Sequence, residues 1–362
     1  VEIGPGDQFG SEYAGKTAVL NIILTDANGL SGTITGTTRR SYDGSISPQA
    51  SASALVRLGD STFSIAAGYD NRRFSEEGGD IVTRLSDGAI LETRDKLNEM
   101  HDRQPYISGS WSLENGPRRS AHMNFRVARH RFDLLQTSRS HLQSGQIRDD
   151  ELIQDYERSE FELGADLTRP LLGGSIKFLG LTTRRQREDI DISRLALKTD
   201  ASNGYLQDLD YRHDERLGSV NWSGATQDGW NIEIGAEGTF NRLISKVELF
   251  RIGTDQARTP VELPIADATV KEYRGEAFAS LGHAITSDLR VDLGTTYEFS
   301  HLIVEGDAEA ERALRFLKPR ASLDWRPTGH WHFQFTLART VGQLNFEDFV
   351  SAAELASERV SG

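Results

Sequence analysis

Cysteine is absent from the 362 residues, which excludes disulfides, thiolate zinc sites and thiol nucleophiles. No apolar run approaches the roughly eighteen residues of a spanning helix, and the mean hydropathy is -0.48. Helical membrane spans are thereby excluded. A spanning β-barrel is not, because only alternate residues of its strands face lipid and the chain can be polar on average. Cationic excess is missing as well: 41 Lys and Arg stand against 54 Asp and Glu, and a net charge of -13 argues against nucleic acid as a partner. No fixed sequence period recurs, which disfavours propellers and solenoids. No secretory leader is visible at Val1, and a chain opening in mid-motif reads as a piece of a longer protein.

What the chain has instead is period-two alternation. Ala52, Ala54, Val56 and Leu58 alternate with Ser51, Ser53 and Arg57, then Gly59-Asp60 turns the chain into Phe63, Ile65, Ala67 and Tyr69. The unit recurs around Asn115-Gly116-Pro117, Pro170 to Gly174, Gln227-Asp228-Gly229, Thr286-Ser287-Asp288 and Pro327-Thr328-Gly329. About thirteen strands of roughly eleven to thirteen residues are predicted, long enough to cross a bilayer at a tilt. Between the hairpins lie polar segments near Phe74 to His101, Phe132 to Asp155, Asp189 to Asp210 and Ile244 to Lys271, with a shorter one near Ile303 to Leu314. As long loops, they would alternate with the tight turns as extracellular loops alternate with periplasmic turns in outer-membrane barrels. A soluble sandwich usually has shorter connections.

Each strand then has two chemically distinct faces. One carries Arg57, Arg126, Glu162, Asp166, Glu233, Glu237, Arg290, Asp292 and Glu298. An Arg or Lys at the bilayer midplane costs roughly 2 to 4 kcal/mol, so this face is expected to line the lumen. The other carries Tyr69, Trp111, Trp222, Trp230, Trp325 and Trp331, several near strand ends, where an aromatic girdle sits at headgroup depth. The competing reading makes the charges the solvated outer face of a sandwich and the aromatics its core.

Sites for bond-making chemistry are poorly supported. His330-x-His332 offers half a metal site, but its place at a turn makes surface histidines the better reading. Glu305 to Glu311 lacks the spacing of a calcium loop and reads as a solvated loop. Arg184-Arg185-Gln186-Arg187 and Asp149-Asp150-Glu151 read as charged loop flanks. No nucleophile and base pair emerges, and no catalytic residue, cofactor or metal is assigned.

Near the start, Gly10, Gly15, Lys16 and Thr17 satisfy the letter of the phosphate-loop pattern, in which backbone N–H groups, a lysine and a hydroxyl hold a nucleotide and its magnesium. That site needs a helix after Lys16-Thr17. In its place stands Val19-Leu20-Asn21-Ile22-Ile23-Leu24-Thr25, closed by Asp26-Ala27-Asn28-Gly29, a strand and a turn signal. A nucleotide-binding protein is kept only as a remote alternative.

The same stretch carries a resemblance. Val1-Glu2-Ile3-Gly4-Pro5-Gly6, then Tyr13-Ala14-Gly15 leading into Leu20-Asn21-Ile22-Ile23, resembles the end of the plug domain of TonB-dependent outer-membrane receptors. Gly15, Leu20, Asn21, Ile22 and Ile23 form this plug-end motif, and Lys16-Thr17 departs from it by standing where glycines are usual. Arg339 to Phe349 resembles a late barrel stretch of the same receptors. The resemblance implies an all-β fold in which residues 1–27 end a plug and residues 28–362 begin an antiparallel transmembrane β-barrel, about 13 of about 22 strands. It also implies capture of a scarce solute such as a siderophore-iron chelate, cobalamin or a carbohydrate at the surface of a Gram-negative outer membrane. Uptake would be powered by the TonB-ExbB-ExbD complex pulling through an N-terminal segment outside this sequence. A passive porin or adhesin-type barrel is the alternative, separated from the receptor by whether a plug lies upstream.

Overall fold

The computed structural model describes residues 2–4, 19–21, 29–41, 43–116, 118–197, 203–328, 331–342, 352–354 and 359–361. Every regular element among them is a strand. In chain order these are β1 (Glu2–Gly4), β2 (Val19–Asn21), β3 (Gly29–Arg40), β4 (Ile46–Leu58), β5 (Ser61–Thr83), β6 (Ile90–Glu114), β7 (Ser120–Leu142), β8 (Ile147–Leu171) and β9 (Gly174–Leu197). They continue as β10 (Asn203–Ala225), β11 (Trp230–Ile252), β12 (Arg258–Val261), β13 (Asp267–Thr286), β14 (Leu289–Gly306), β15 (Ala310–Thr328), β16 (Trp331–Ala338), β17 (Ala352–Glu354) and β18 (Arg359–Ser361). One antiparallel 14-stranded sheet follows chain order from β3 to β16, with β12 paired to β11 off the main path. Among the described residues it is open, with β3 and β16 at its edges.

The tight turns fall where Gly and polar pairs predict them. Leu171 pairs with Gly174, and between them Leu172 (φ 48) and Gly173 (φ 77) are both left-handed. That is the backbone of a two-residue primed turn, whose twist matches that of the flanking strands. Gly59 (φ 57) opens the equivalent turn between Leu58 and Ser61.

The segments expected to be long loops are not loops. Strands β5, β7, β10 and β11 have 23 residues, β9 has 24, and β6 and β8 have 25, about twice the expected length. Phe74 to His101, for instance, is a continuous hairpin in which Phe74 faces Met100 and Val82 faces Glu92. Its turn is only 84–89, where Arg84 N–H donates to Ala89 O at 2.8 Å. Phe132 to Asp155 closes the same way at 142–146. Of the segment Ile244 to Lys271, residues 244–252 belong to β11 and 267–271 to β13, so only 253–266, with β12, connect them. Glu305 to Glu311 likewise shrinks to a turn at 307–309. Polar composition had hidden these ladders because charged residues on neighbouring strands pair with each other. Arg139 Nε meets Asp149 at 3.0 Å and Arg194 meets Glu151 at 2.7 Å.

The apolar side chains change face partway along the strands. In β11 they occupy even positions nearest the tight turn, with Ile234 50% exposed, and odd positions farther on, with Leu243 wholly buried. β13 switches between Tyr273 and Val270, and β14 between Phe299 and Leu302. Register places Leu243 opposite Val270 and Val270 opposite Val304, so the switch runs in step across three adjacent strands. Leu243, Val270, Leu302 and Val304 form one buried cluster with Tyr211 against it. A second cluster joins Leu152 of β8 to Leu249 of β11, two strands beyond its neighbour, so the face carrying these residues is the concave one.

Candidate functional site

Cross-strand register assigns every predicted site residue to a face, since directly paired residues point the same way. All nine predicted charges, Arg57, Arg126, Glu162, Asp166, Glu233, Glu237, Arg290, Asp292 and Glu298, fall on the concave face. Most have local partners. Arg126 lies 4.8 Å from the Tyr106 ring centroid, Asn124 donates to Glu162 at 3.1 Å, and His122 Nδ1 meets Asp166 at 2.9 Å. Arg290 binds Asp292 through Nε (2.9 Å) and a terminal nitrogen (2.6 Å). Lys318 bridges Glu298 (2.6 Å) and Glu276 (2.9 Å). Glu233, Glu237, Asp292, Glu276 and Lys318 line one cavity of about 560 Å³. Arg57, Arg126, Glu162 and Asp166 sit on the β4–β8 side of the sheet, away from it.

The six aromatics fall on the opposite, convex face. Trp111, Trp222, Trp230, Trp325 and Trp331 gather near the tight turns, with Trp331 stacked on Phe333 (5.8 Å) and Trp230 on His283 (4.5 Å). Tyr69 lies farther along its strand and belongs to a second row with Phe161, Phe240, Tyr273 and Phe299. Phe240 and Tyr273 pack at 5.0 Å between centroids. About ten residues separate Trp230 from Phe240, roughly 33 Å of strand and about 25 Å of height at a tilt of about 40°. Leu281, Leu293 and Met123 fill the space between rows at 45%, 54% and 45% exposure.

Beyond the second row, sequence reasoning missed a polar network on the concave face, because these residues lay in segments read as loops or within two residues of their ends. His130 Nε2 contacts Asp102 at 2.5 Å and Nδ1 contacts the Tyr156 hydroxyl at 3.3 Å. Phe132 stacks on Tyr156 (5.2 Å) and the Arg187 guanidinium lies 4.7 Å from its ring centroid. Nearby, burial and the neighbouring Asp189 carboxylate push Asp191 up to about 6. The signal that was available is the alternation Leu243-x-Ser245-x-Val247-x-Leu249, out of phase with the alternation before it.

On the convex face just past the second row, Asp214 is buried beneath three arginines. Arg184 Nε (2.6 Å), Arg212 Nε (3.0 Å) and Arg242 (2.7 Å) all bind its carboxylate. Burial raises its pKa, and hydrogen bonds from Arg242, Arg184 and Arg212 outweigh that and hold it at about 2. The runs 184–187 and 149–151 are therefore strand residues with ion-pair partners, not loop flanks.

Of the plug-end motif, Leu20 and Asn21 lie in β2, which pairs with β1 through Glu2↔Asn21 and Ile3↔Leu20. Gly15, Ile22 and Ile23 lie outside the described residues, as do Lys16 and Thr17. Residues 19–21 are extended where a phosphate loop needs its helix. His330 is also outside the described residues, and His332 binds Asp324 at 2.7 Å. Among the described residues no cluster of His, Asp and Glu has the arrangement of a metal site.

No family model and no curated protein matches the chain. Among solved structures, the ferric yersiniabactin uptake receptor FyuA from Yersinia pestis is similar at a TM-score of 0.29 and 9% identity, over 86% of this chain and 61% of that one. The chain therefore spans less than two thirds of that receptor's length.

Proposed function

We propose that the chain forms the early part of an outer-membrane β-barrel receptor of the TonB-dependent type, which takes up a scarce polar solute and makes no covalent change to it. The observation carrying this reading is the face switch. Near the tight turns the apolar side chains, Ile234, Leu281 and Leu293 among them, are exposed on the convex side, while the concave side is charged. In water such a continuous apolar surface is unfavourable, and soluble monomers rarely present one. In a bilayer it is the required arrangement, and a height of about 25 Å between aromatic rows matches the apolar band of outer-membrane barrels.

The extended strands beyond the second row then stand outside the membrane, and their concave face is where a solute first meets the protein. Tyr156, Phe132, His130 and Arg187 offer it aromatic surface and hydrogen-bond donors. TonB dependence and the plug rest on the resemblance of residues 1–24 alone.

Two measurements on the complete protein test this. A closed barrel pellets with outer membranes and migrates faster on a gel before boiling than after; a soluble protein with no boiling shift would remove the membrane reading. Deleting residues 14–24 is expected to abolish energised uptake while leaving insertion and the boiling shift intact. Unchanged uptake leaves a barrel and removes the plug assignment.

A further inference from the structure

Just past the second aromatic row the convex positions turn cationic, with Arg129, Arg242 and Lys271 where the apolar band ends. Farther out, where water covers the sheet, the same face is expected to be polar throughout. One cross-strand row breaks that rule. Leu135 of β7 pairs with Ile153, Ile153 with Ile192, Ile192 with Leu206, and Leu206 with Phe250 of β11, so five convex-facing apolar side chains stand in line. Pro260 of β12, opposite Phe250, extends the line. Phe250 lies ten residues beyond Phe240, and Ile153 eight beyond Phe161. That is roughly 26 to 33 Å of strand, or about 20 to 25 Å above the second aromatic row at a tilt of about 40°. Headgroups extend only about 5 to 8 Å past the hydrocarbon core, so lipid does not account for the row.

The charges around the row define what it can pack against. On its membrane side the adjoining row, Asp133, Asp155, Ile190, Asp208 and Glu248, holds four acids and no cation. Arg103, Arg131 and Lys246 partly offset Asp133, Asp155 and Glu248, while the exposed Asp208 has no salt-bridge partner among the described residues. On its outward side lies a cavity of about 780 Å³ lined by Leu97, Thr137 and the ion pairs of Arg139 with Asp149 and Arg194 with Glu151. Glu77 and Asp95 also line it and have no salt-bridge partner among the described residues. An apolar line with acids on both sides selects its partner by charge. A second copy of this chain would bring acid against acid, whereas a cationic segment is drawn in.

We propose that this face docks a cationic amphipathic helix of a partner protein, with the helix's apolar stripe along the row from Leu135 to Phe250 and its lysines or arginines toward the acidic row and the cavity. The dimensions suit a helix. Four strand spacings span about 19 Å, the length of about thirteen helical residues, and helical turns about 5.4 Å apart nearly match strands about 4.8 Å apart. Laying an apolar helix face into a groove is a recurrent mode of recognition, and apolar surface left on a water-facing sheet marks such sites. The proposal rests on the membrane reading above only in that the convex face beyond the second aromatic row stands clear of lipid; it is independent of the solute carried.

The test uses the complete protein in nanodiscs of zwitterionic lipid, with empty discs to subtract adsorption to lipid. The probe is a synthetic helix of about eighteen residues with Leu at i, i+3 and i+4 spacing and Lys elsewhere. Its counterparts carry Glu in place of Lys, or the same composition in scrambled order. The wild type is expected to bind the Lys helix about tenfold or more tighter than either counterpart. Ile153→Ser/Ile192→Ser interrupts the row, and Asp208→Asn/Glu248→Gln removes exposed acids beside it; each should lose about threefold or more of that binding while keeping its boiling shift. The second of these touches no buried side chain and so guards against a folding artefact. Asp60→Asn/Asp228→Asn removes the same charge at the tight turns and should keep wild-type binding. Undiminished binding in both of the first two variants overturns the proposal. So does an equal loss in the third, which would mean attraction to a net-negative protein rather than to this face, and so does equal binding of the scrambled helix. A wild type with no boiling shift removes the membrane reading and not the docking, which the same binding series then decides in buffer.

Discussion

Strand β11 obeys two opposite rules along its 23 residues. From Trp230 to Phe240 its large apolar residues face the convex side, with Trp230 and Ile234 exposed, while Leu243, Val247 and Leu249 face the concave side and are buried. The hydrogen-bond ladder to β10 and β13 passes through the change without a shift of register. Backbone geometry is therefore indifferent to the switch, and the side chains alone record what lies outside the sheet. The half near the tight turns is inside out, as a lipid-facing sheet must be, and the far half is arranged like a water-soluble one.

If the two halves face different solvents, matched substitutions must give different costs. Truncating Leu243, which is wholly buried, is expected to destabilise by about 2 to 5 kcal/mol. Leu293→Ala, whose 54% exposed side chain faces lipid in this reading, should lose only the transfer of its three carbons, at most about 2 kcal/mol, because acyl chains fill the gap and leave no cavity. Urea unfolding of the complete protein in lipid vesicles reads both, and equal losses would break the comparison. The converse pair inserts charge. Ile234→Arg on the convex face near the tight turn should cost about 2 to 4 kcal/mol in the bilayer. Ile190→Arg, also convex and 48% exposed but beyond the second aromatic row, should stay within about 0.5 kcal/mol. A large penalty at both positions would mean that the band reaches farther than the aromatics mark.

Hairpins in the half near the tight turns were legible because alternation there is strict and Gly-containing turns delimit it, as at Gly59 and Gly229. Facing was legible for the same reason: Arg126 and Glu162 share a side with Ser108 as surely as Val127 shares one with Phe161. The far half was not legible, because its ladders are held by ion pairs such as Arg139 with Asp149 and by small buried polar residues such as Ser140 and Ser245. Such residues carry the composition of loops while serving as strand. The Asp214 cluster needed the three-dimensional register, since Arg184, Asp214 and Arg242 come from three different strands.

Acidity separates the halves further. Asp191 lies beyond the second aromatic row, and its folded pKa of about 6 stands above the 3.8 of an unperturbed aspartate. The fold therefore holds a proton that the unfolded chain gives up, so this group costs no stability below about pH 4 and destabilises increasingly as the pH rises toward 6 and above. Asp191→Asn should match the wild type at pH 4 and exceed it at pH 8, by at most about 3 kcal/mol. A difference independent of pH would show that Asp191 is not the group responsible.

The smallest effect expected is at the border itself. Lys271 Nζ meets Glu305 at 2.7 Å, with the two side chains 28% and 54% exposed. In the wet half such a pair contributes under about 1 kcal/mol, because water and the entropy of two long side chains offset the Coulomb attraction. Glu305→Gln should therefore cost little in 0.05 M salt and nothing measurable in 0.5 M, where the screening length falls well below about 10 Å. A loss above about 2 kcal/mol that resists salt would place Glu305 in a medium of low dielectric. The membrane border would then have to move past Glu305, and Lys271 would cease to mark it.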